Sequence, residues 1–231
     1  MILLPFLAFT QAPGYMGKKC VVGYGFNISP AINNATPRDN HLNTIHELYL
    51  DYVIGNKWLV GLGARYYKTI YDNKANFSDS DVHPEGSYTI NGISLCLNFK
   101  YYKRNYVAPW GRYFMISPVL NMAKTSYDPS MHTVGRVNGH DTLYLDFGPS
   151  PVNYYHFDIM LGWGRSRVIA DRFTVDYGYN LQLWSLITAL NEVGQLFPAS
   201  LAMNNYIEET HKWRVHGINR FNFFIKLGYL F

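Results

Sequence analysis

Residues 219–231, NRFNFFIKLGYLF, restrict the fold more than any other stretch of this chain. Taken in twos, they put Phe231, Tyr229, Leu227, Ile225, Phe223 and Phe221 on one face, and Leu230, Gly228, Lys226, Phe224, Asn222 and Arg220 on the other. A wholly apolar face backed by a mixed polar one is the period-two pattern of a β-strand. The sequence closes on an aromatic with no polar tail, as expected of a strand that faces lipid and seals a barrel. The first question is whether the rest of the chain repeats this pattern.

It does so seven times. Strands are predicted near 19–29, 43–54, 58–71, 88–101, 112–123, 153–164 and 173–183, each with an apolar face opposite a polar or glycine-rich one. The connection Gly55-Asn56-Lys57 is tight, and 103–111 and 165–172 are short to middling. Residues 30–42, 72–86, 124–152 and 184–212 form long, irregular connections. Short turns at one end and long loops at the other are the layout of an outer-membrane barrel, in which strand number is even.

Charge separates this reading from a soluble barrel. Glu47, Asp51, Arg65, Lys100, Asp158, Asp176, Arg220 and Lys226 all fall on the faces opposite the apolar ones, and Arg112 is the one charge found on an apolar face, beside a turn. A soluble barrel reverses this arrangement. A Lys or Arg at the lipid midplane costs ~2–4 kcal/mol. The fold class expected is therefore all-β: an eight-stranded antiparallel transmembrane β-barrel in the outer membrane, with short periplasmic turns, long extracellular loops, both termini periplasmic, and lipid as its surroundings.

Composition excludes other classes. No run of eighteen apolar residues exists, so a membrane-spanning helix is ruled out. The net charge of +4 is scattered, without a Lys/Arg stripe or a Gly-rich phosphate loop, so no nucleic-acid partner is expected. Residues 1–12, MILLPFLAFTQA, resemble a secretory signal although no Lys/Arg region precedes the apolar core. The alternative is a first strand or a plug. The barrel would then occupy 13–231. Cys20 and Cys96 fall on opposite faces of non-neighbouring strands, so no disulfide is expected.

The eight inward charges are four acids and four bases, and an eight-stranded bore is just wide enough to be filled by side chains. A packed polar lumen of ion pairs is predicted, with a gated channel as the alternative. If Gly55 to Lys57 make a three-residue turn, Ile54 faces Trp58 and Glu47 lies across from Arg65, predicting an ion pair. Gly23, Gly25, Gly61, Gly63, Gly162, Gly164 and Gly178 face inward and leave room for long side chains opposite. Trp58, Tyr101, Tyr102, Tyr106, Trp110, Trp163, Phe173 and Tyr229 are expected to form a girdle at the turn end, and Tyr66, Tyr71, Tyr88 and Tyr127 one at the loop end. Pro118 cannot donate a ladder hydrogen bond, so a bulge or break is expected there.

Candidate chemistry is sparse. His83, His132, His140 and His211 fall in predicted outer loops without metal-ligand spacing, so no metal or cofactor is expected. A lipid-modifying site could be drawn from His216, His46 or His140 with Asp141, but no local signature supports it. In 184–204, Leu186, Leu190, Val193 and Phe197 recur at helical spacing, with Leu196 and Leu201 nearby. They suggest either a lid on the barrel rim or a docking surface for an envelope protein or a hydrophobic ligand.

The stretch PGYMGKK, the segment APWGRYF at 108–114 and the terminal Phe231 resemble small outer-membrane β-barrel proteins of the Bacteroidetes group, and the architecture is similar to the OmpX, OmpW and OmpA-barrel type. The C-terminal assembly signal of many such barrels has Gly five residues before the final aromatic; here Lys226 stands there. The resemblance implies fold and location; with so little candidate chemistry, the function expected is that of a non-catalytic envelope protein, structural or an accessory subunit. A narrow conduit for small hydrophobic ligands and a lipid-modifying enzyme are the alternatives. It also implies that Asp141-Thr142-Leu143, which matches the short O-glycosylation motif of that group, carries a sugar on Thr142.

Overall fold

The computed structural model describes residues 14–30, 42–73, 83–103, 105–127, 132–137, 140–144, 151–192, 212 and 214–231, without the side chains of 42, 71–73, 83–88, 127, 132–144 and 188–192. Eight strands make the wall: β1 (Cys20–Pro30), β2 (Leu42–Val53), β3 (Trp58–Asn73), β4 (His83–Tyr102), β5 (Gly111–Tyr127), β8 (Asn153–Ile169), β9 (Phe173–Gln182) and β10 (Phe221–Leu230). Each pairs antiparallel with its neighbour, β4 pairs with both β3 and β5, and β10 pairs with β1 from Val21↔Leu230 to Ile28↔Phe223. The ladder is a closed ring. The Phe231 carbonyl accepts hydrogen bonds from the N–H groups of Lys19 (3.1 Å) and Cys20 (2.9 Å), so the final residue is tied into the seam.

The wall is inverted relative to a soluble protein. Leu48, Leu62, Ile225 and Leu227 are about 60% exposed or more, whereas Glu47, Arg65, Lys100 and Lys226 between them are at most 2% exposed. Period-two alternation produces this directly, because successive side chains of a strand point to opposite faces. Cys96 faces the bore, Cys20 is half-buried, and both are free.

Several boundaries differ from the sequence expectation, for physical reasons. Strand β8 runs on through Ile169 and turns tightly at Ala170 and Asp171. Both have positive φ (49° and 58°), as a type I′ turn requires, and the Arg172 N–H closes onto the Ile169 carbonyl at 3.3 Å. The stretch expected as one irregular loop after β5 contains a hairpin, β6 (His132–Val137) and β7 (His140–Tyr144), with β6 paired to the start of β4. At the other side of the barrel, β9 stops at Gln182, where helix α1 (Leu183–Glu192) begins. Residues 214–220 are helical, so Arg220 lies ahead of β10 and not within it.

The outer face also carries more charge than expected, because Lys68 shares the apolar parity of the predicted third strand and other strands run longer than predicted. Lys68 and Lys124 lie on the outer face towards the loop end, and Arg165 and Arg167 join Arg112 towards the turn end. Tyr102 leaves the expected girdle, because its parity turns it into the bore, where it is 1% exposed. Tyr106 is half-buried against the inner cluster. The remaining turn-end aromatics do face outward, in contacts such as Trp58–Tyr101 (4.9 Å between ring centroids), Phe114–Trp163 (5.2 Å) and Phe173–Tyr229 (5.7 Å). At Pro118 the β4–β5 ladder breaks without a bulge. It pairs Cys96↔Val119 and Phe99↔Ile116 in one register and skips the two residues between. The Ser117 hydroxyl donates to Asn98 Oδ1 at 2.7 Å across the gap.

Candidate functional site

The bore is the concentration of chemistry in this molecule. The three-residue turn fixes the β2–β3 register, with the Ile54 N–H bonded to the Trp58 carbonyl at 3.1 Å, and so sets Glu47 opposite Arg65. Arg65 Nε stands 3.0 Å from Glu47 Oε2. Lys226, reaching across from β10, bonds the other carboxylate oxygen, and Asn27 Nδ2 donates to Oε2 at 3.4 Å. One buried acid thus serves two bases. Nearer the turn end the ratio reverses: Lys100 Nζ lies 2.8 Å from Asp51 Oδ2 and 3.0 Å from Asp176 Oδ2, and the Tyr113 hydroxyl donates to Asp176 Oδ1 at 2.7 Å. Lys100 also sits 5.0 Å from the Tyr113 ring centroid, within cation–π range. Buried charge is tolerated only when paired and hydrogen-bonded; every charge of both clusters is paired, while Arg65 Nη2 and Asp51 Oδ1 are left without a hydrogen-bond partner among the described residues.

Asp158 and Arg220 stand outside this pairing. Asp158 caps helix α1. Its Oδ1 accepts from the Trp184 N–H (2.8 Å), and its Oδ2 accepts from the Ser185 N–H (3.0 Å) and hydroxyl (2.8 Å). A carboxylate at a helix N-terminus is favoured by the free N–H groups and the dipole there. Arg220 enters from segment 214–220 and donates to the Ser185 carbonyl at 3.3 Å. Both depart from the expected network because the chain is helical, not extended, on either side of the last long loop.

Described side chains fill both ends of the bore. At the turn end, Ala108 and Pro109 are buried, with the Ala108 N–H bonded to the Asn56 carbonyl at 3.0 Å. Beneath Pro109 a cavity of about 10 Å³, room for roughly one water, is lined by Tyr49, Asp51, Lys100 and Asp176. At the loop end, Val215 and Ile218 pack on Ile45, Tyr67, Ile90 and Ala123. Tight Gly–Tyr pairs fill the wall between. Tyr67 lies opposite Gly92, where an added Cβ would fall 1.9 Å from the Tyr67 ring.

The histidines named as enzyme candidates are not assembled into a site. His46 is on the outer face bonded to Tyr24, and His140 lies in β7, whose side chains are outside the described set, as are those of Asp141 and Thr142. His216 is in the loop-end plug. Its Nδ1 lies 3.0 Å from Ser185 Oγ and its Nε2 lies 2.8 Å from the Tyr154 hydroxyl. A Ser–His pair invites a nucleophile reading, but the carboxylate here bonds the serine and not the imidazole, and Ser185 is fully buried. A catalytic triad needs the acid on the histidine. Burial, His156 and Arg220 push the His216 imidazole down to about 3, so it is neutral at physiological pH.

Of the predicted docking residues, Leu186 is half-buried on α1 and Leu190 lies on α1 with its side chain outside the described set. Val193, Leu196, Phe197 and Leu201 are outside the described residues, as are His211 and residues 1–12. His83 and His132 lie in β4 and β6. Among the described residues no group of three or more His, Cys, Asp or Glu could hold a metal, and no helix is long and apolar enough to cross a membrane. Ser185, Tyr154 and the Val215–Ile218 pair were not singled out from sequence. The one available signal was the i, i+3 spacing of Val215 and Ile218 just before the last strand.

No protein-family model and no curated protein matches this sequence. Among solved structures, Ail, the attachment invasion locus protein of Yersinia pestis, is 11% identical, with 93% of this chain and 97% of that one covered and a TM-score of 0.41. Neisserial surface protein A is 10% identical, with 92% and 97% covered and a TM-score of 0.43. The closed eight-strand antiparallel barrel is read from the strand ladder of this chain itself.

Proposed function

We propose that this protein is a non-catalytic outer-membrane β-barrel with a packed lumen, acting in the envelope as a structural or interaction protein, alone or as an accessory subunit. One observation carries the reading: an exposed apolar wall encloses paired charges, with described side chains packed at both ends of the bore. Lipid is the solvent that tolerates such a wall, because every backbone group of a closed barrel is satisfied internally. The plugs at Ala108–Pro109 and Val215–Ile218 count against an open conduit, and the buried Ser185 counts against a lipid-modifying enzyme.

Interaction would be made at the loop end, where α1 presents Trp184 (54% exposed) and Ile187 beside the plug. The Bacteroidetes likeness and sugar attachment at Thr142 belong to the same reading, and glycopeptide mass spectrometry of the native protein tests the latter. Planar-bilayer recording tests the main proposal. The expected result is a protein that inserts, shifts its gel mobility on heating and passes no steady current. A stable open conductance, or a protein that stays in aqueous solution without detergent, would overturn it. Co-purification from native membranes with and without Trp184→Ser tests the partner surface, and an unchanged set of co-eluting proteins would count against it.

A further inference from the structure

Three arginines on the outer wall are used by nothing described above. Arg112 of β5 lies directly opposite Arg165 of β8, and Arg167 is the next residue of β8 on the same face. Directly opposed like charges destabilise a strand pair. No side-chain hydrogen bond or ion pair joins these three guanidinium groups to other described residues. Asp158 and Asp176, the acids of β8 and β9, face the bore. Asp171, at the tip of the β8–β9 turn, accepts a hydrogen bond from Tyr15.

Their height on the wall is fixed by neighbours. One step towards the barrel centre, Phe114 faces Trp163, and across β9 Arg165 faces Tyr177. Interfacial aromatics mark headgroup level. The arginines therefore lie just outside the acyl region at the turn end, where lipid phosphates are found.

We propose that Arg112, Arg165 and Arg167 hold the phosphate of an anionic phospholipid, of the phosphatidylglycerol type, in the periplasmic leaflet. The inference rests on the membrane-barrel reading. A planar guanidinium binds phosphate through paired N–H donors. A single phosphate between opposed guanidiniums relieves the repulsion that the register imposes. Snorkelling into water is the competing account; it predicts no preference for headgroup charge.

The test uses the full chain in nanodiscs of equal phosphatidylcholine and phosphatidylglycerol, with retained lipid counted by native mass spectrometry. Wild type is expected to keep phosphatidylglycerol over phosphatidylcholine by roughly tenfold or more, since paired guanidinium–phosphate hydrogen bonds are charge-assisted and an anionic lipid brings no headgroup cation against the arginines. Arg112→Gln with Arg165→Gln should bring that ratio near one, while Lys68→Gln with Lys124→Gln at the opposite rim leaves it unchanged. Arg165→Gln alone serves if the double variant fails to fold. Equal retention of the two lipids by wild type, an equal loss in the rim control, or displacement of the lipid by millimolar inorganic phosphate would each overturn the proposal. Heat-modifiable mobility of the same nanodisc sample reports the barrel separately, so failure of the lipid site and failure of the membrane reading are distinguishable.

Discussion

At the turn end of the bore, Lys100 bridges Asp51 and Asp176 beneath Ala108 and Pro109; at the loop end, Val215 and Ile218 rest on Ile45, Tyr67 and Ile90. The first closure is ionic and built from wall strands whose side chains alternate inward. The second is apolar, bordered by a hydrogen-bonded chain from the Asp158 carboxylate through Ser185 and His216 to Tyr154, and it is supplied by helical segments outside the ladder. The difference teaches that two kinds of information fill this barrel. Strand parity delivers the charges to the bore, where they must pair. The plug is delivered by a loop that folds back, and its contacts need not be ionic because they are made beyond the ladder.

Four changes would sharpen or break that contrast. The largest effect is expected for Glu47→Leu, which leaves Arg65 and Lys226 buried without their acid. Stability in a urea titration from lipid vesicles should fall by about 3–5 kcal/mol, and replacing all three residues with Met should recover most of it. A loss no larger than that of the rim variant Lys124→Gln would mean the ionic core is not integral. Next, Leu62→Arg places a charge on the exposed apolar wall beside Leu50 and Leu97 and, with that wall in lipid as proposed, should cost ~2–4 kcal/mol in the same titration. A neutral outcome would argue that this wall meets water. Third, Gly92→Ala drives a methyl into the Tyr67 ring and should cost roughly 1–3 kcal/mol by overpacking. Truncating Tyr67 to Ala in that background should remove the clash, so a purely additive double mutant would refute the close contact.

The smallest effect concerns pH at the loop-end plug. His216 is held neutral, its imidazole pushed down to about 3 by burial, His156 and Arg220, against an ordinary value of 6.5. Opening exposes it, so the opened state takes up a proton between these values and the plug weakens as pH falls from about 6.5 towards 3. Above that window the contribution of neutral His216 is fully present. Amide exchange across 214–220 should speed up on acidification, and His216→Gln should flatten the response. A plug equally protected at both ends of the range would contradict the assignment.

The inverted wall was legible because one rule, alternation with a period of two, governs every strand and does not depend on partners. The opposition of Glu47 and Arg65 was legible too, because a three-residue turn fixes the register of the strands it joins. Less was visible where geometry depends on remote contacts. The extended pattern through Arg220 is a real alternation of side chains, yet residues 214–220 coil because Val215 and Ile218 find Ile45, Tyr67 and Ile90 beneath them. Asp158 looked like one more lumen acid, and nothing near it in sequence signals that α1 would begin above it. Tyr102 turns into the bore because it has the opposite parity to its neighbour Tyr101, which belongs to the girdle.

By itself, then, the sequence determined that eight strands present grease outward and charge inward, since the pleat allows no other assignment of faces. Tertiary structure alone decided which charges meet and what stops the bore. Lys226 reaches Glu47 from the far end of the chain, and α1 and segment 214–220 become helical only because the closed barrel offers them a carboxylate to cap one and an apolar floor to seat the other.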